Sequence, residues 1–154
     1  PCVISVGALN EQQYLLLEWL EPGKPGKNFW ENFGRGLASI HKNFQPSFGW
    51  DEDNYIGSLV QKNDRQKNWP SFYAQCRIMP LINRLKKAAV YTSDDVLAAE
   101  KFCEKINKLF PEEHASLLHG DLWSGNFMIT QSGEAAIYDP VVYCGHREID
   151  LGMT

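Results

Sequence analysis

The sequence changes character at one polar stretch, Leu117-Leu118-His119-Gly120-Asp121-Leu122-Trp123-Ser124-Gly125-Asn126. An apolar run typical of a buried strand ends there in a turn that carries a carboxylate, Asp121, and, five residues later, a carboxamide, Asn126. A second carboxylate, Asp139, follows the strand-like residues 135–138, thirteen residues after Asn126. The three polar groups are therefore predicted to be held at strand ends.

Two carboxylates and one amide oxygen form the set of groups that phosphoryl transfer requires. One carboxylate accepts a hydrogen bond from the attacking hydroxyl, while the second carboxylate and a neutral oxygen hold Mg²⁺ against the phosphates. A lone His-Gly-Asp is weak evidence, because Asp often satisfies turn amides and His often packs beside a strand end. The full pattern His-x-Asp-x-x-x-x-Asn, with a later Asp, is more specific. It predicts a phosphoryl-transfer catalytic loop.

Composition excludes several other classes of protein. The 154 residues include 15 Lys and Arg against 19 Asp and Glu, a net charge of −4 without a basic run, so no nucleic-acid partner is expected. The apolar runs are too short to cross a membrane, and no signal peptide pattern is present, which predicts a cytoplasmic protein. The four cysteines lack C-x-x-C spacing, so reduced thiols and no zinc site are expected.

The first third of the chain is predicted to form a hairpin and a helix. Residues 3–6 and 13–19 are rich in strand-forming residues and are expected to pair, with 14–17 covered on both faces. A linker is expected over 18–26, where Pro and Gly interrupt regular structure. Asn28 is predicted to cap a helix with apolar residues at helical spacing, and the glycines at 34 and 36 are predicted to permit close packing.

Two helices are predicted between the first helix and the polar stretch. Residues 44–68 favour turns, and their aromatic and apolar members are expected to anchor a long loop to the core. A helix is expected over 70–89, with a kink at Pro80. A second helix, capped by residues 92–95, is expected to run to Phe110 and to stop at Pro111. Short strands follow at 116–118, 127–130 and 135–138.

The quoted stretch and residues 138–154 resemble the signature of the fructosamine kinase (ketosamine 3-kinase) family, whose fold is kinase-like and aminoglycoside-phosphotransferase-like. Weaker matches extend the resemblance over nearly the whole chain, at 15–19, 33–34, 37–38, His41, 48–49 and 53–58. It implies an α+β fold, namely a protein-kinase-like large C-terminal lobe, mostly helical with short catalytic-loop strands, plus a remnant β-hairpin of the small ATP-binding lobe. Residues 1–20 would be the last hairpin and the hinge, and 21–154 a partial catalytic lobe, truncated at both ends.

The resemblance also implies an activity, the ATP-dependent phosphorylation of the sugar 3-hydroxyl of ketosamines such as fructosamine or ribulosamine adducts, leading to protein deglycation. Asp121 would orient or deprotonate the hydroxyl, while Asn126 and Asp139 would bind the Mg²⁺ that bridges the ATP phosphates. The partners would be ketosamine small molecules or glycated protein lysines.

Several further roles follow from the same resemblance. The backbone of Glu18, Trp19 and Leu20 would meet adenine at the hinge. Trp123 would offer an apolar platform to the sugar or its amine, although a core position is an equal alternative. His146 would also contact the substrate.

Two residues would support the catalytic loop. His119 would do so by packing and hydrogen bonding, and Asp150 would accept hydrogen bonds from the loop backbone. The family usually has an aromatic residue where Cys144 stands, which bears on substrate preference.

Two alternatives remain open. The same loop would serve a phosphotransferase of the aminoglycoside or choline kinase type, since its chemistry is indifferent to which hydroxyl is presented. The chain could also be a catalytically inactive nucleotide-binding fragment, because no Gly-rich loop, strand Lys or helix Glu precedes the hairpin. The isolated chain is therefore expected to be inactive.

Overall fold

An antiparallel hairpin begins the computed structural model, which describes all 154 residues. Strand β1 (Val3–Leu9) pairs with β2 (Gln12–Leu17), as predicted, through a turn in which Asn10 and Glu11 have positive φ. The predicted coverage of 14–17 on both faces is wrong, because Tyr14, Leu15 and Leu16 are each at least half exposed. The hairpin has no third strand and no packed layer within this chain.

The linker after the hairpin is extended and is fastened to a later hairpin of the chain. The Gly23 N–H donates to Ile129 O at 2.8 Å, and the Gln131 N–H donates to Glu21 O at 2.8 Å. A Cβ at Gly23 would lie 2.2 Å from Thr130 O, so only glycine fits this approach. The predicted interruption of regular structure is confirmed.

Helix α1 (Phe29–His41) follows with the predicted apolar face, on which Phe29, Leu37 and His41 are buried. Two predictions about this helix are wrong. The Asn28 side chain makes no capping hydrogen bond. Gly34 and Gly36 do not permit close packing, because a Cβ at either position would meet open space.

Short strands organise the predicted long loop. These are β3 (Phe44–Gln45), β4 (Asn54–Ile56) and β5 (Leu59–Gln61), the last two forming a hairpin. Tyr55 is 65% exposed and does not anchor the loop, whereas Phe48 is buried in the core. The Arg77 guanidinium supports the far side of the loop, donating to Asn63 Oδ1 at 2.8 Å and to Lys62 O.

The next helical segment is interrupted where the sequence predicts a kink. Helix α2 (Trp69–Phe72) passes into a π-helical turn (Tyr73–Ile78) and then into α3 (Met79–Lys87). Pro80 lacks an N–H, and its ring crowds the carbonyl four residues earlier, which accounts for the wider turn.

Helix α4 (Ser93–Cys103) is capped within the predicted residues 92–95, where Thr92 and Asp95 form a capping box. It ends at Cys103, before the predicted Phe110. A 3₁₀ turn (Ile106–Lys108) fills part of the remaining distance.

A three-stranded antiparallel sheet holds the base of the polar stretch. Its central strand β6 (Ala115–Leu118) lies between β3 and a strand that the sequence did not reveal, β9 (Tyr143–Gly145). Cys144 on β9 is fully buried and exchanges two backbone hydrogen bonds with Gly49.

Strands β7 (Phe127–Ile129) and β8 (Ala135–Ile137) form a separate hairpin, and α5 (Glu148–Met153) ends the chain. None of the helices is both long and apolar enough to cross a bilayer.

Candidate active site

The polar turn leaves the buried end of β6 and is held by one buried carboxylate. Asp150 on α5 is 0% exposed and accepts the His119 N–H at Oδ2 and the Gly120 N–H at Oδ1, both at 2.9 Å. Gly120 has φ +82°, and a Cβ there would lie 2.0 Å from Val141 O. The turn therefore needs glycine at this position and a fixed acceptor beneath it.

A third donor reaches the same carboxylate from α1. His41 Nε2 lies 2.9 Å from Asp150 Oδ2, and both side chains are buried. A buried carboxylate is stable only when its oxygens are hydrogen-bonded, and these three partners satisfy that need. Sequence reasoning gave His41 no role. The available signal was a polar residue on the buried face of an amphipathic helix.

The predicted base and the predicted amide ligand are in direct contact. The Asn126 Nδ2 group donates to Asp121 O at 2.8 Å and to Asp121 Oδ2 at 2.9 Å. Both amide hydrogens face Asp121, so Asn126 Oδ1 points away from it. Asn126 Oδ1 and Asp121 Oδ1 accept no hydrogen bond within the chain. Each residue thus keeps an oxygen free for a ligand.

Asp139 is joined to this pair through the backbone. The Tyr138 N–H donates to Asn126 O at 3.0 Å, which places the end of β8 beside the polar turn. Asp139 itself has φ +51°, is exposed, and its carboxylate makes no hydrogen bond within the chain. A non-glycine residue at positive φ is uncommon, and such strain is concentrated at functional sites.

His119 connects the two segments. Its Nε2 lies 2.9 Å from Tyr138 O, so Nε2 carries the hydrogen and donates. Its Nδ1 can then accept the Asp121 N–H at 3.3 Å, and its carbonyl accepts the Val141 N–H at 2.8 Å. The imidazole is 3% exposed and lies between the polar turn and the segment that carries Asp139.

The free oxygens fit Mg²⁺ better than they fit a transition metal. Mg²⁺ takes one or two carboxylates and completes its shell with phosphate oxygens and water. Asn126 Oδ1 and the Asp139 carboxylate are hard oxygen donors of that kind. No group of three or more His, Cys, Asp or Glu converges anywhere in the chain, so the protein offers no complete cage for a metal.

Trp123 and His146 differ sharply in exposure. Trp123 is 52% exposed, and its six-membered ring covers Gly125 so closely that a Cβ there would lie 2.2 Å from the Trp123 Cη2 atom. His146 is 0% exposed, contacts the rings of Trp69 and Phe110, and lies 3.2 Å from a backbone carbonyl through Nε2. His146 has no accessible surface in this structure, and its contact with the substrate stays a prediction.

The residues predicted to contact adenine, Glu18, Trp19 and Leu20, follow the first hairpin. The Glu18 N–H donates to Cys2 O at 2.9 Å, and the Cys2 N–H donates to the Glu18 carboxylate at 3.0 Å, which lowers the pKa of that carboxyl. Trp19 is 78% exposed. The backbone N–H groups of Trp19 and Leu20 donate no hydrogen bond within the chain.

Comparison with known proteins places the whole chain in one group. Residues 1–154 match the family model described as fructosamine kinase. The chain is 35% identical over 156 residues to a probable ketoamine kinase of Enterococcus faecium and 36% identical over 155 residues to one of Synechocystis. Each match covers 100% of this chain but only 55% and 52% of the relative. The chain thus spans about half the length of the curated relatives it matches.

Solved structures agree on the fold. The crystal structure of a protein assigned as a fructosamine-3-kinase from Thermobifida fusca superimposes with a TM-score of 0.82 at 36% identity, over 96% of this chain and 51% of that one. A second such structure, from Haemophilus somnus, superimposes with a TM-score of 0.82 at 28% identity. The match covers 97% of this chain and 50% of that one. The mixed helix and sheet arrangement is therefore a kinase-like fold.

Proposed function

Because the chain belongs to the fructosamine kinase family, we propose that it supplies the catalytic loop of an ATP-dependent kinase that phosphorylates the sugar 3-hydroxyl of ketosamines. The observation that carries this proposal is the direct bond from Asn126 to Asp121, which leaves one oxygen free on each residue. Asp139 follows Tyr138, whose N–H donates to Asn126 O. Phosphoryl transfer needs these groups in these positions, because the protein mainly positions reactants and stabilises charge.

Asp121 is the proposed base. Its free Oδ1 accepts the hydrogen bond of the sugar hydroxyl, while Oδ2 and the main-chain carbonyl are held by the Asn126 amide. The hydroxyl oxygen attacks the γ-phosphorus, the bond to the β-phosphate oxygen breaks, and the hydroxyl proton passes to Asp121. The amide contact fixes the direction in which the carboxylate faces the acceptor.

Asn126 Oδ1 and the Asp139 carboxylate are the proposed Mg²⁺ ligands. When bound, ATP supplies the phosphoryl group, and Mg²⁺ neutralises the charge on its phosphates. The hydrogen bond from Tyr138 to Asn126 keeps the two ligands in register, and the His119 imidazole holds the carbonyl that precedes Asp139. The Asp150 carboxylate and His41 beneath the loop limit its movement, which is what precise positioning requires.

Residues 1–20 are proposed to be the last hairpin and the hinge of the small lobe, and 21–154 part of the catalytic lobe. The free N–H groups of Trp19 and Leu20, next to Glu18, support contact with adenine. An isolated two-stranded hairpin is marginally stable, and the exposed apolar side chains of β1 and β2 suit packing against further strands.

Glycated protein lysines and small ketosamines are the proposed acceptors, and loss of the sugar after phosphorylation would complete deglycation. The exposed face of Trp123 suits an apolar sugar face or its amine. ATP is the proposed phosphoryl donor, and we propose the cytoplasm as the compartment of the reaction.

The test measures phosphate transfer from ATP to a fructosyl amine, with this chain joined to the upstream region of a family relative. Asp121→Asn should lower kcat by about 10²- to 10⁴-fold without unfolding the protein. Asp64→Asn, at an exposed carboxylate outside residues 117–139, is the matched control and should keep full activity. Unchanged turnover in Asp121→Asn would refute the base assignment.

A panel of acceptors separates the proposed substrate from its alternatives. Preference for an aminoglycoside or choline over the fructosyl amine would redirect the proposal to another small-molecule phosphotransferase. Phosphorus NMR of the product would identify the esterified hydroxyl. The 154-residue chain by itself should bind ATP weakly and turn over negligibly, and robust turnover by it would contradict the proposed division into lobes.

A further inference from the structure

The hairpin that joins the two proposed Mg²⁺ ligands has little support from the core. Asn126 directly precedes β7, and Asp139 comes two residues after the end of β8. Every residue of both strands is only partly buried, and the two strands form a separate two-stranded sheet. A two-stranded hairpin is marginally stable by itself. The position of this hairpin must therefore be set by the segments that contact it.

The linker, residues 21–26, lies along the edge of this hairpin as a third extended segment. Pro22 and Thr130 form an antiparallel bridge, which is flanked by two backbone hydrogen bonds of 2.8 Å. The Gly23 N–H donates one of these bonds to the carbonyl of Ile129, the last residue of β7. The linker is thus bonded to the strand that begins directly after the proposed amide ligand.

Glycine at position 23 makes this close approach possible. A Cβ on Gly23 would lie 2.2 Å from Thr130 O and 2.7 Å from Gln131 Cα, and these backbone atoms cannot move aside without displacing the hairpin. The approach is looser at Gly26, where a Cβ would lie 3.3 Å from Gly133 O. The Gly26 N–H donates to that oxygen at 3.2 Å. The backbones therefore come closest at Gly23, beside the bridge.

Helix α1 contacts the same hairpin through side chains. The ring centroid of Phe127 lies 4.9 Å from that of Phe33 and 6.3 Å from that of Trp30. Burial of apolar surface is non-directional, whereas hydrogen bonds have restricted distances and angles. The helix can therefore hold the hairpin against the fold, but the backbone bonds of the linker fix its position along the strand direction.

The linker also contacts the segment proposed to meet adenine. The Trp19 Nε1–H donates to Glu21 Oε1 at 2.9 Å, and Glu21 O accepts the Gln131 N–H at 2.8 Å. Glu21 thus bonds the proposed hinge through its side chain and the turn of the hairpin through its carbonyl. A single residue separates the hinge from the hairpin along this route.

We propose that the linker is a positioning element for the proposed Mg²⁺ ligands, with Gly23 as the positioning residue. By bonding the edge of β7, the linker holds the hairpin so that Asn126 and Asp139 stay joined through the Tyr138 N–H. The proposed hinge and the two ligands then keep one fixed arrangement, as phosphoryl transfer requires. The catalytic consequence rests on the proposed function, whereas the positioning can be measured without ATP, Mg²⁺ or an acceptor.

The test follows hydrogen exchange and side-chain amide signals by NMR in the ¹⁵N-labelled chain, without nucleotide or metal. Gly23→Ala should detach the linker from β7. The Tyr138 N–H, at the opposite end of the hairpin from its turn, should then exchange about ten-fold faster, as expected for about one lost hydrogen bond. The Asn126 side-chain NH₂ signals should shift. Gly34→Ala, where a Cβ meets open space, is the control and should cause neither change.

Two outcomes would overturn the proposal. One is faster exchange at Gln131 alone, with Tyr138 and Asn126 unchanged, since the linker would then have only a local role. The other is an equal effect of Gly34→Ala. Failure of the phosphotransferase assay would leave the NMR result standing, and failure of the NMR test would leave the proposed function standing.

A milder variant decides the matter if Gly23→Ala loses the native circular dichroism. In Gly26→Ala the carbonyl of Gly133 has to move by only a few tenths of an ångström. This variant should speed exchange of the Tyr138 N–H by about three-fold, because the bond to Gly133 is weakened rather than lost. Unchanged exchange at Tyr138 in Gly26→Ala would then overturn the proposal.

Discussion

Replacing Asp150 with Asn tests how the polar turn of the candidate site is held. In the native chain each carboxylate oxygen accepts a different backbone N–H, His119 at Oδ2 and Gly120 at Oδ1, and His41 shares Oδ2. A carboxamide has only one acceptor oxygen. The better arrangement keeps that oxygen at the Oδ2 position, where two partners meet, and turns the NH₂ group towards the Gly120 N–H.

The magnitude follows from the buried donor that loses its partner. An unsatisfied buried N–H costs about 1–3 kcal/mol, and the two remaining bonds lose their charge assistance, about 1 kcal/mol more. Asp150 is 0% exposed, so water cannot compensate without opening the site. We expect Asp150→Asn to lower the free energy of unfolding by about 3 kcal/mol, a large share of the stability of a small domain.

Two measurements check this expectation. Urea denaturation gives the change in unfolding free energy, and hydrogen exchange followed by NMR reports the individual amides. The Gly120 amide should exchange much faster in Asp150→Asn, and the His119 amide should change less. Glu148→Gln, an exposed residue of the same helix, should stay within about 0.5 kcal/mol of the native chain. A change below 0.5 kcal/mol for Asp150→Asn, with native protection at Gly120, would refute the reasoning.

Three further predictions concern single positions. Gly120→Ala should destabilise the chain by more than about 2 kcal/mol in urea denaturation, because φ is +82° and a Cβ would overlap a carbonyl, whereas Gly34→Ala should stabilise it by about 0.5–1 kcal/mol. Gly125→Ala should displace the Trp123 indole and shift its fluorescence, since the added Cβ would overlap the ring. Burial raises the pKa of Tyr143 to about 12, so the unfolding free energy should fall between pH 10 and 12, by up to about 3 kcal/mol.

The sign of the Tyr143 effect follows from proton binding. Above pH 10 the unfolded chain releases the phenol proton, while the folded chain keeps it until about pH 12, so rising pH favours unfolding. The alkaline slope should disappear in Tyr143→Phe and persist in Tyr55→Phe, whose ring is exposed. An equal alkaline slope in Tyr143→Phe would contradict the assignment. For the glycines, equal losses at Gly120 and Gly34 would contradict the argument from φ and space.

Local signals in the sequence were sufficient for the main elements. Two runs of strand-forming residues predicted the first hairpin, apolar spacing predicted α1, and the capping residues located the start of α4. Helix ends and caps were less predictable. Asn28 does not cap α1, and α4 stops at Cys103. Several local conformations at a helix end have similar energy, and tertiary contacts determine which one is adopted.

Contacts between distant segments could not be predicted from local sequence patterns. Strand β9 is only three residues long and is defined by its pairing with β6. It is too short to show the alternation of apolar and polar residues that predicts a strand. The burial of His146 and the bond from His41 to Asp150 also join residues far apart in sequence. The exposure of β1 and β2 depends on which layers pack against them. The local sequence pattern of a strand does not show whether another layer covers it.

The sequence by itself determined the chemical groups of the candidate site, because residue types and spacing fix which oxygens can act as base and ligand. It also determined the family, through motifs that carry that chemistry. Only the tertiary structure decided how those groups are oriented. The direction of the Asn126 amide, the three donors on Asp150 and the unpaired Trp69 nitrogen all depend on packing across the fold, where burial makes each hydrogen bond costly to lose.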